Sequence, residues 1–308
     1  MENLIDYALK TKYEKVSKLK KNLEEINKLI NWRKFLNVFP KKSSLVGRPE
    51  YEKILMIKIL FLQACYSMSD EETKYNCYNR LDFQQFLGFP KTVPDYTTIW
   101  RFREELTDGN KIEDIWMELQ RQIANKGIII EQGVIQDARF IHADPGKKNS
   151  RMDERGKAAK TSRSADGSWT KKGEKNIFGF KEHIKVDSKN KLILELSLTT
   201  AKTHDGNVDL AKPDEIILRD RGYSGCKTKA KGDGTMKRGK FIADEFLRNK
   251  RISRVRCRIE HVFGTMTRSF KSGRTKLTTI SRVYVQQIFV GFIYNIHRLN
   301  FLLKNAVA

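Results

Sequence analysis

Residues 133–141 read Gly-Val-Ile-Gln-Asp-Ala-Arg-Phe-Ile, an apolar strand pattern interrupted by one carboxylate, Asp137. A charge inside such a strand is costly unless something pairs with it. Downstream, Phe178, Phe180, Ile184 and Val186 alternate with Gly179, Lys181, His183 and Lys185. Residues 187–191 supply a turn, and Leu192, Leu194, Leu196 and Leu198 then alternate with Ile193, Glu195, Ser197 and Thr199. This period of two predicts a β-hairpin with one buried face. A further strand, residues 215–219, runs into Asp220 and turns at Gly222. The tail from Val283 to Leu303 puts Phe289, Phe292, Ile293, Ile296 and Leu303 on one helix face, and its simplest place is the core.

Upstream, the pattern changes to helix. In the first 37 residues Val16, Leu19, Leu23, Ile26 and Ile30 recur at three- and four-residue steps. A helix packed on its own domain is the first reading and a dimerisation helix the second. Pro40 and residues 41–44 break the pattern as a linker or turn. Residues 49–106 form a second helical block. Ser69 followed by Glu71 and Glu72 has the form of a helix start, Phe86-Leu87-Gly88-Phe89-Pro90 is a stop, and Asp95 is placed to cap the next helix. That helix bears Thr97, Thr98, Trp100 and Arg101. A short helix, a turn and a second helix of this kind outline a helix-turn-helix, which makes these four residues candidate DNA contacts.

The charge balance narrows the partners. The 308 residues carry 60 Lys and Arg against 37 Asp and Glu, a net +23. Such a surplus draws in polyanions and excludes an ordinary neutral metabolic enzyme as the default reading. Residues 145–176 hold ten basic and four acidic residues with almost nothing apolar except Met152 and Trp169, so a mobile basic loop is expected there, either solvated or touching phosphate. Four cysteines form no CxxC pair, which points away from a disulfide framework and toward a reducing cytoplasm. No apolar run approaches the roughly 20 residues of a spanning helix, so no membrane partner is expected.

Three carboxylates stand out by position. Asp137 lies within one apolar strand, Asp220 lies at the end of another, and Glu260 lies in a basic helix beside Arg254, Arg256 and Arg258. Taken singly, each reads more simply as a salt-bridge partner. Together they describe acids converging from separate elements to hold hard divalent cations, which activate a hydroxyl and stabilise a leaving oxygen in phosphoryl transfer. The surround is suitably positive: thirteen basic residues against three acidic ones between Arg221 and Ile259.

The stretches VIQDARFI, GFKEHIKVD with LTTAKTHD, IILRDRGYSG and SRVRCRIEHVFGTMTRSF occur here in that order. In this the chain resembles the DDE transposases of bacterial and archaeal insertion sequences, in the superfamily that joins the IS four and IS five groups. The resemblance covers roughly residues 45–300. It implies an α/β fold: an RNase H-like mixed sheet flanked by helices, preceded by an all-α helix-turn-helix-like domain. Boundaries follow at 1–44 for the N-terminal helix and linker, 45–125 for a DNA-binding domain and 126–308 for the catalytic domain.

It further implies that Asp137, Asp220 and Glu260 are catalytic and bind two Mg²⁺ (or Mn²⁺) ions. The enzyme would cleave the ends of an insertion sequence and join the 3′-hydroxyls to target DNA. The implied partners are double-stranded DNA, as ends and as target, and a second copy in a homodimer on DNA, with a cytoplasmic, nucleoid-associated location. Lys181, His183, Arg254 and Arg256 join the helix residues as candidate DNA contacts. The alternatives are a decayed or repurposed DNA-binding protein and a nuclease of the same fold without strand transfer. The superfamily's Tyr, Arg, Glu and Lys signature around the glutamate is met at Arg256 and Glu260. Its outer positions are occupied by Ser253 and Thr267, with Arg268 or Lys271 as stand-ins for the lysine. Only 39 residues separate Asp220 from Glu260, too few for the β-rich insertion some relatives carry, so an uninterrupted catalytic domain is expected.

Overall fold

The computed structural model describes residues 21–39, 49–128, 133–146, 164, 166–239 and 243–306. The helix expected over residues 1–20, the linker at 40–44 and most of the basic stretch (147–163 and 165) lie outside the described residues. The chain divides into two compact units, residues 1–128 with 295–308, and residues 129–294.

The first unit is all helix. Its elements are α1 (Lys21–Leu29), a 3₁₀ turn (Trp32–Val38), α2 (Lys53–Tyr66), α3 (Asp70–Asn79), α4 (Leu81–Leu87), α5 (Tyr96–Thr107) and α6 (Lys111–Ala124). The single helix expected through residue 37 ends at Leu29 instead. The Gln122 side chain explains the break: its Oε1 accepts from Asn31 N at 2.8 Å and its Nε2 donates to Asn31 O at 3.1 Å, which satisfies backbone groups that a continuous helix would pair. The run Leu55–Leu62 of α2 is buried all round, as a helix apolar on every side must be. Trp32, Phe61 and Phe86 pack edge-on and stacked against one another beside it. The helix start at Ser69 is a complete capping box with Glu72, α4 stops at Gly88 in the left-handed conformation, and Asp95 caps α5 through Thr98 N at 2.7 Å, each where the sequence placed it.

The second unit is a mixed sheet with helices. Its strands are β1 (Gly133–His142), β2 (Ser168–Lys172), β3 (Lys175–Asp187), β4 (Ile193–Thr200), β5 (Ile216–Arg219) and β6 (Gly232–Thr235). The order is β2-β3-β1-β5-β6, with β4 also paired to β3. β1 runs antiparallel to β3 and parallel to β5, and β5 runs parallel to β6. The helix α7 (Ala243–Ser269) packs on β1 and β5. The last helix, α8 (Ile280–Ala306), places Val283 with Ile141 and Phe180 in one core cluster. This is the RNase H-like mixed sheet with a helical region before it that the sequence led us to expect.

Three expectations need correction. The hairpin β3–β4 does not have one buried face: Lys181, His183 and Lys185 on the supposed open side of β3 are all buried, because the segment 201–215 covers them. The described end of the basic stretch is not a loop, since Trp169 packs on Phe178 and residues 168–172 pair with 175–179 as a hairpin. The end of the tail does not sit in the catalytic unit. Asn300 and Lys304 both reach Glu25, at 2.9 and 2.8 Å, and residues 295–308 belong to the first unit.

Candidate active site

β1 and β5 bring two of the three acids side by side. Val134 lies opposite Ile217 and Ile135 opposite Leu218; two further steps in the same parallel register set Asp137 level with Asp220. Asp220 stands just past the carboxyl end of β5, where its Oδ1 accepts from Gly222 N at 2.7 Å and fixes the turn. Asp137 Oδ1 accepts from Ala138 N at 2.9 Å. Glu260 comes from α7 together with Arg256, one helical turn earlier on the same face.

The third acid joins the site through that arginine. Arg256 Nη1 donates to Asp137 Oδ2 at 2.6 Å, and Nη2 donates to Glu260 Oε1 at 3.2 Å. Glu260 keeps 63% of its side chain exposed, while Asp137 keeps only 16%. The Asp137 carboxyl is pushed up to about 6, chiefly by burial; Arg256 and the Ala138 N–H oppose this, and the charges of Asp220 and Asp205 add to it. The rise is thus a desolvation effect first, and the largest single charge acting on the carboxyl is the favourable one of Arg256. Carboxylate oxygens are nonetheless the hard donors a divalent cation prefers. Among the described residues, however, no group of three or more His, Cys, Asp or Glu side chains is gathered closely enough to hold a metal ion. Asp137 and Glu260 meet at a guanidinium rather than in one cage.

Two residues near this centre were not singled out from the sequence. Asp205, in a 3₁₀ turn beside that of residues 221–223, pairs with Lys181 at 2.8 Å and contributes to the field at Asp137. Arg139, on the same strand face as Asp137, ties β1 to β3 and α7: Nε donates to Glu182 at 2.5 Å, Nη1 to Thr267 Oγ1 at 2.7 Å and Nη2 to Ser272 Oγ at 2.8 Å. Thr267 occupies the position where the sequence signature has lysine, so that position is engaged by a cation from β1 instead. The only advance signal was Arg139's spacing of two from Asp137. Tyr223 is fully buried, and its hydroxyl is raised by burial and then by Asp137, Asp205 and Asp220.

The candidate DNA contacts divide by exposure. On α5, Trp100 and Arg101 are exposed, and Thr97 and Thr98 are partly so. On α7, Arg254 is exposed, whereas Arg256 is engaged as described. Lys181 and His183 do not present themselves to DNA. Lys181 is spent on Asp205 and Thr203 O, and His183 Nε2 and Thr199 Oγ1 hydrogen-bond at 2.9 Å below the surface. Their alternating position promised exposure only if one face of β3 were open.

Comparison with known proteins gives two matches. Residues 130–296 match the family described as Transposase DDE domain, and residues 11–105 match the family described as Transposase domain (DUF772). No solved structure matches the chain. Among the described residues no helix is long and apolar enough to cross a membrane.

Proposed function

Because the chain belongs to the DDE transposase family, we propose that this DNA transposase binds the ends of an insertion sequence, cleaves them, and joins the 3′-hydroxyl ends to target DNA, with Asp137, Asp220 and Glu260 as its catalytic acids. The observation that carries the assignment is the parallel register that aligns Asp137 with Asp220, next to a helix whose Arg256 bonds both Asp137 and Glu260.

When bound, two divalent cations such as Mg²⁺ would supply charge for the attacking and leaving oxygens of an in-line displacement. Asp137 and Asp220, held by the Ala138 and Gly222 backbone N–H groups, present carboxylate oxygens along one edge. Glu260 presents a third from an exposed side chain on α7. Arg256, released from a carboxylate, is placed to hold a phosphate as a two-pronged donor. The exposed α5 face with Trp100 and Arg101, partly exposed Thr97 and Thr98, and exposed Arg254 on α7 are the surfaces proposed to bind duplex DNA. Joining two ends further calls for a dimer on DNA.

The test is cleavage of a duplex bearing the element's own ends with Mg²⁺. Glu260→Gln should abolish nicking and leave end binding largely intact. Loss of binding together with nicking would show a structural role for Glu260. Nicking without joined products would identify a nuclease.

A further inference from the structure

The β2–β3 hairpin is unlike the rest of the sheet. From Phe178 onward β3 is buried on both faces, but residues 171–176 are exposed and Trp169 shows 52% of its surface. One side of the Trp169 ring is fixed, tilted on Phe178 with centroids 5.3 Å apart, and the remainder faces solvent. Trp169, Thr170, Lys171 and Asn176 line a shallow depression. Lys171 and Asn176 share its face by strand alternation and pairing, since Lys171 lies opposite Asn176 and Trp169 opposite Phe178. Lys172 and Lys175 flank it, against the single acid Glu174.

The hairpin also stands at the right end of the sheet. Asp220 follows the carboxyl end of β5, and β1, parallel to β5, continues past Asp137 to His142. His142 lies opposite Gly179, and Gly179 lies opposite Ser168, where the hairpin begins. Five residues of strand separate Asp137 from that junction, roughly 17 Å. The junction needs its glycine: a Cβ on Gly179 would fall 2.1 Å from Ile141 O, at a φ of +147°. Phe178, Phe180, Glu182 and Ile184 share one face, and Ile184 lies opposite Asp137, so Trp169 stands on the face of the sheet that carries Asp137.

We propose that this hairpin is a DNA-strand clamp, in which Trp169 stacks on an unpaired base of the strand leading away from the acids, Asn176 meets the base edge and Lys171 the phosphate. The inference rests on the transposase reading of the site. The chemistry is that of a nucleotide rather than of a protein partner. A single aromatic plane, an amide with both donor and acceptor, and an exposed ammonium side by side recognise a base, its edge and its phosphate. The surrounding lysines give the complementary charge. A paired base has no free plane to offer, so the clamp favours DNA opened near the site.

The experiment uses the full-length protein and two oligonucleotide duplexes, one fully paired and one with a single-stranded tail holding a fluorescent adenine analogue. Wild type should bind the tailed duplex more tightly and change the analogue's emission. Trp169→Ala should weaken tailed binding by about tenfold, remove the emission change and leave paired binding near wild type; Trp169→Phe should restore most of the difference. Because Trp169 also packs on Phe178, Lys171→Ala and Asn176→Ala provide a second reading, each lowering the preference for the tail. A wild type that binds both duplexes equally with no emission change, or variants that keep the full preference, overturns the clamp alone. A wild type that binds neither duplex overturns the DNA-processing reading beneath it.

Discussion

Arg256 and Asp137 are 119 residues apart in the chain and 2.6 Å apart in space, joined by a guanidinium that also reaches Glu260 at 3.2 Å. The arginine thus holds together two of the three candidate acids. Removing it leaves a largely buried carboxylate uncompensated. Arg256→Ala should therefore destabilise the metal-free protein at neutral pH. The loss should shrink as pH falls through 6, where Asp137 takes up its proton and has no charge left to neutralise. Thermal unfolding at pH 7.5 and pH 4 reads this directly, and an equal loss at both would show that packing rather than charge is at stake.

Arg139, on β1 two residues from Asp137, is a second cation of this region, and its role is structural. Its partner Glu182 is fully buried, and Arg139 keeps 10% of its side chain exposed. Breaking such a pair from one side typically costs on the order of 3 kcal/mol, because the remaining charge stays buried. Arg139→Met alone should cost about that much. It should also raise amide exchange in the last turns of α7, where Thr267 and the Phe263 carbonyl lose their donor. Pairing it with Glu182→Leu should recover much of the stability without restoring α7. Recovery of both would show that the helix is held by packing alone.

Much of this was legible in the sequence because the signals were local. Ser69 with Glu72, Asp95 and Gly88 act on their own helix ends and needed no tertiary context. The candidate acids were marked by an ordered set of motifs, and the strand pattern put Asp137 within a strand and Asp220 at the end of one, which is where they lie. What could not be read was coverage. Lys181, His183 and Lys185 alternate like an open face, yet Asp205, Glu215 and the Leu210 carbonyl come from a separate segment to neutralise the lysines. β6 was missed because residues 232–235, Gly-Asp-Gly-Thr, carry no apolar pattern; the strand is held by its parallel ladder and by Arg219, whose Nε donates to Thr235 at 2.8 Å. β2 was hidden for the same reason, its lone aromatic lying in a run of charge.

Glycine at position 179 gives a further check on the hairpin's anchorage. Gly179→Ala would drive a methyl group into the Ile141 carbonyl and strain a φ of +147°. The expected result is loss of the β2–β3 pairing, read as rapid amide exchange over residues 168–178, with the β1–β3 ladder beyond Phe180 retained. Unchanged protection in the hairpin would mean that the junction relaxes around the added carbon.

Two buried groups make the pH dependence of stability a sum of opposed contributions. Burial lowers the His183 imidazole to about 4, with Asp205 opposing and Lys181 assisting. A base depressed in the fold stabilises above its unfolded value near 6.5, and that contribution is lost as pH falls through 4. Asp137 has the other sign. Raised to about 6 in the fold, it stabilises fully below its ordinary value of 3.8, and that contribution is lost as pH rises through 6. Each displacement corresponds to roughly 3 kcal/mol at most, and between pH 4 and 6 the two nearly cancel. The joint contribution of these two groups should therefore be rather flat across that interval. His183→Gln removes the rising contribution and should leave stability that falls from pH 4 to 6. Asp137→Asn removes the falling one and should leave stability that climbs across the same range. Denaturant unfolding at pH 4, 5 and 6 distinguishes these slopes, and two variants that shift in parallel with wild type would show that neither group titrates in the fold as its surroundings require.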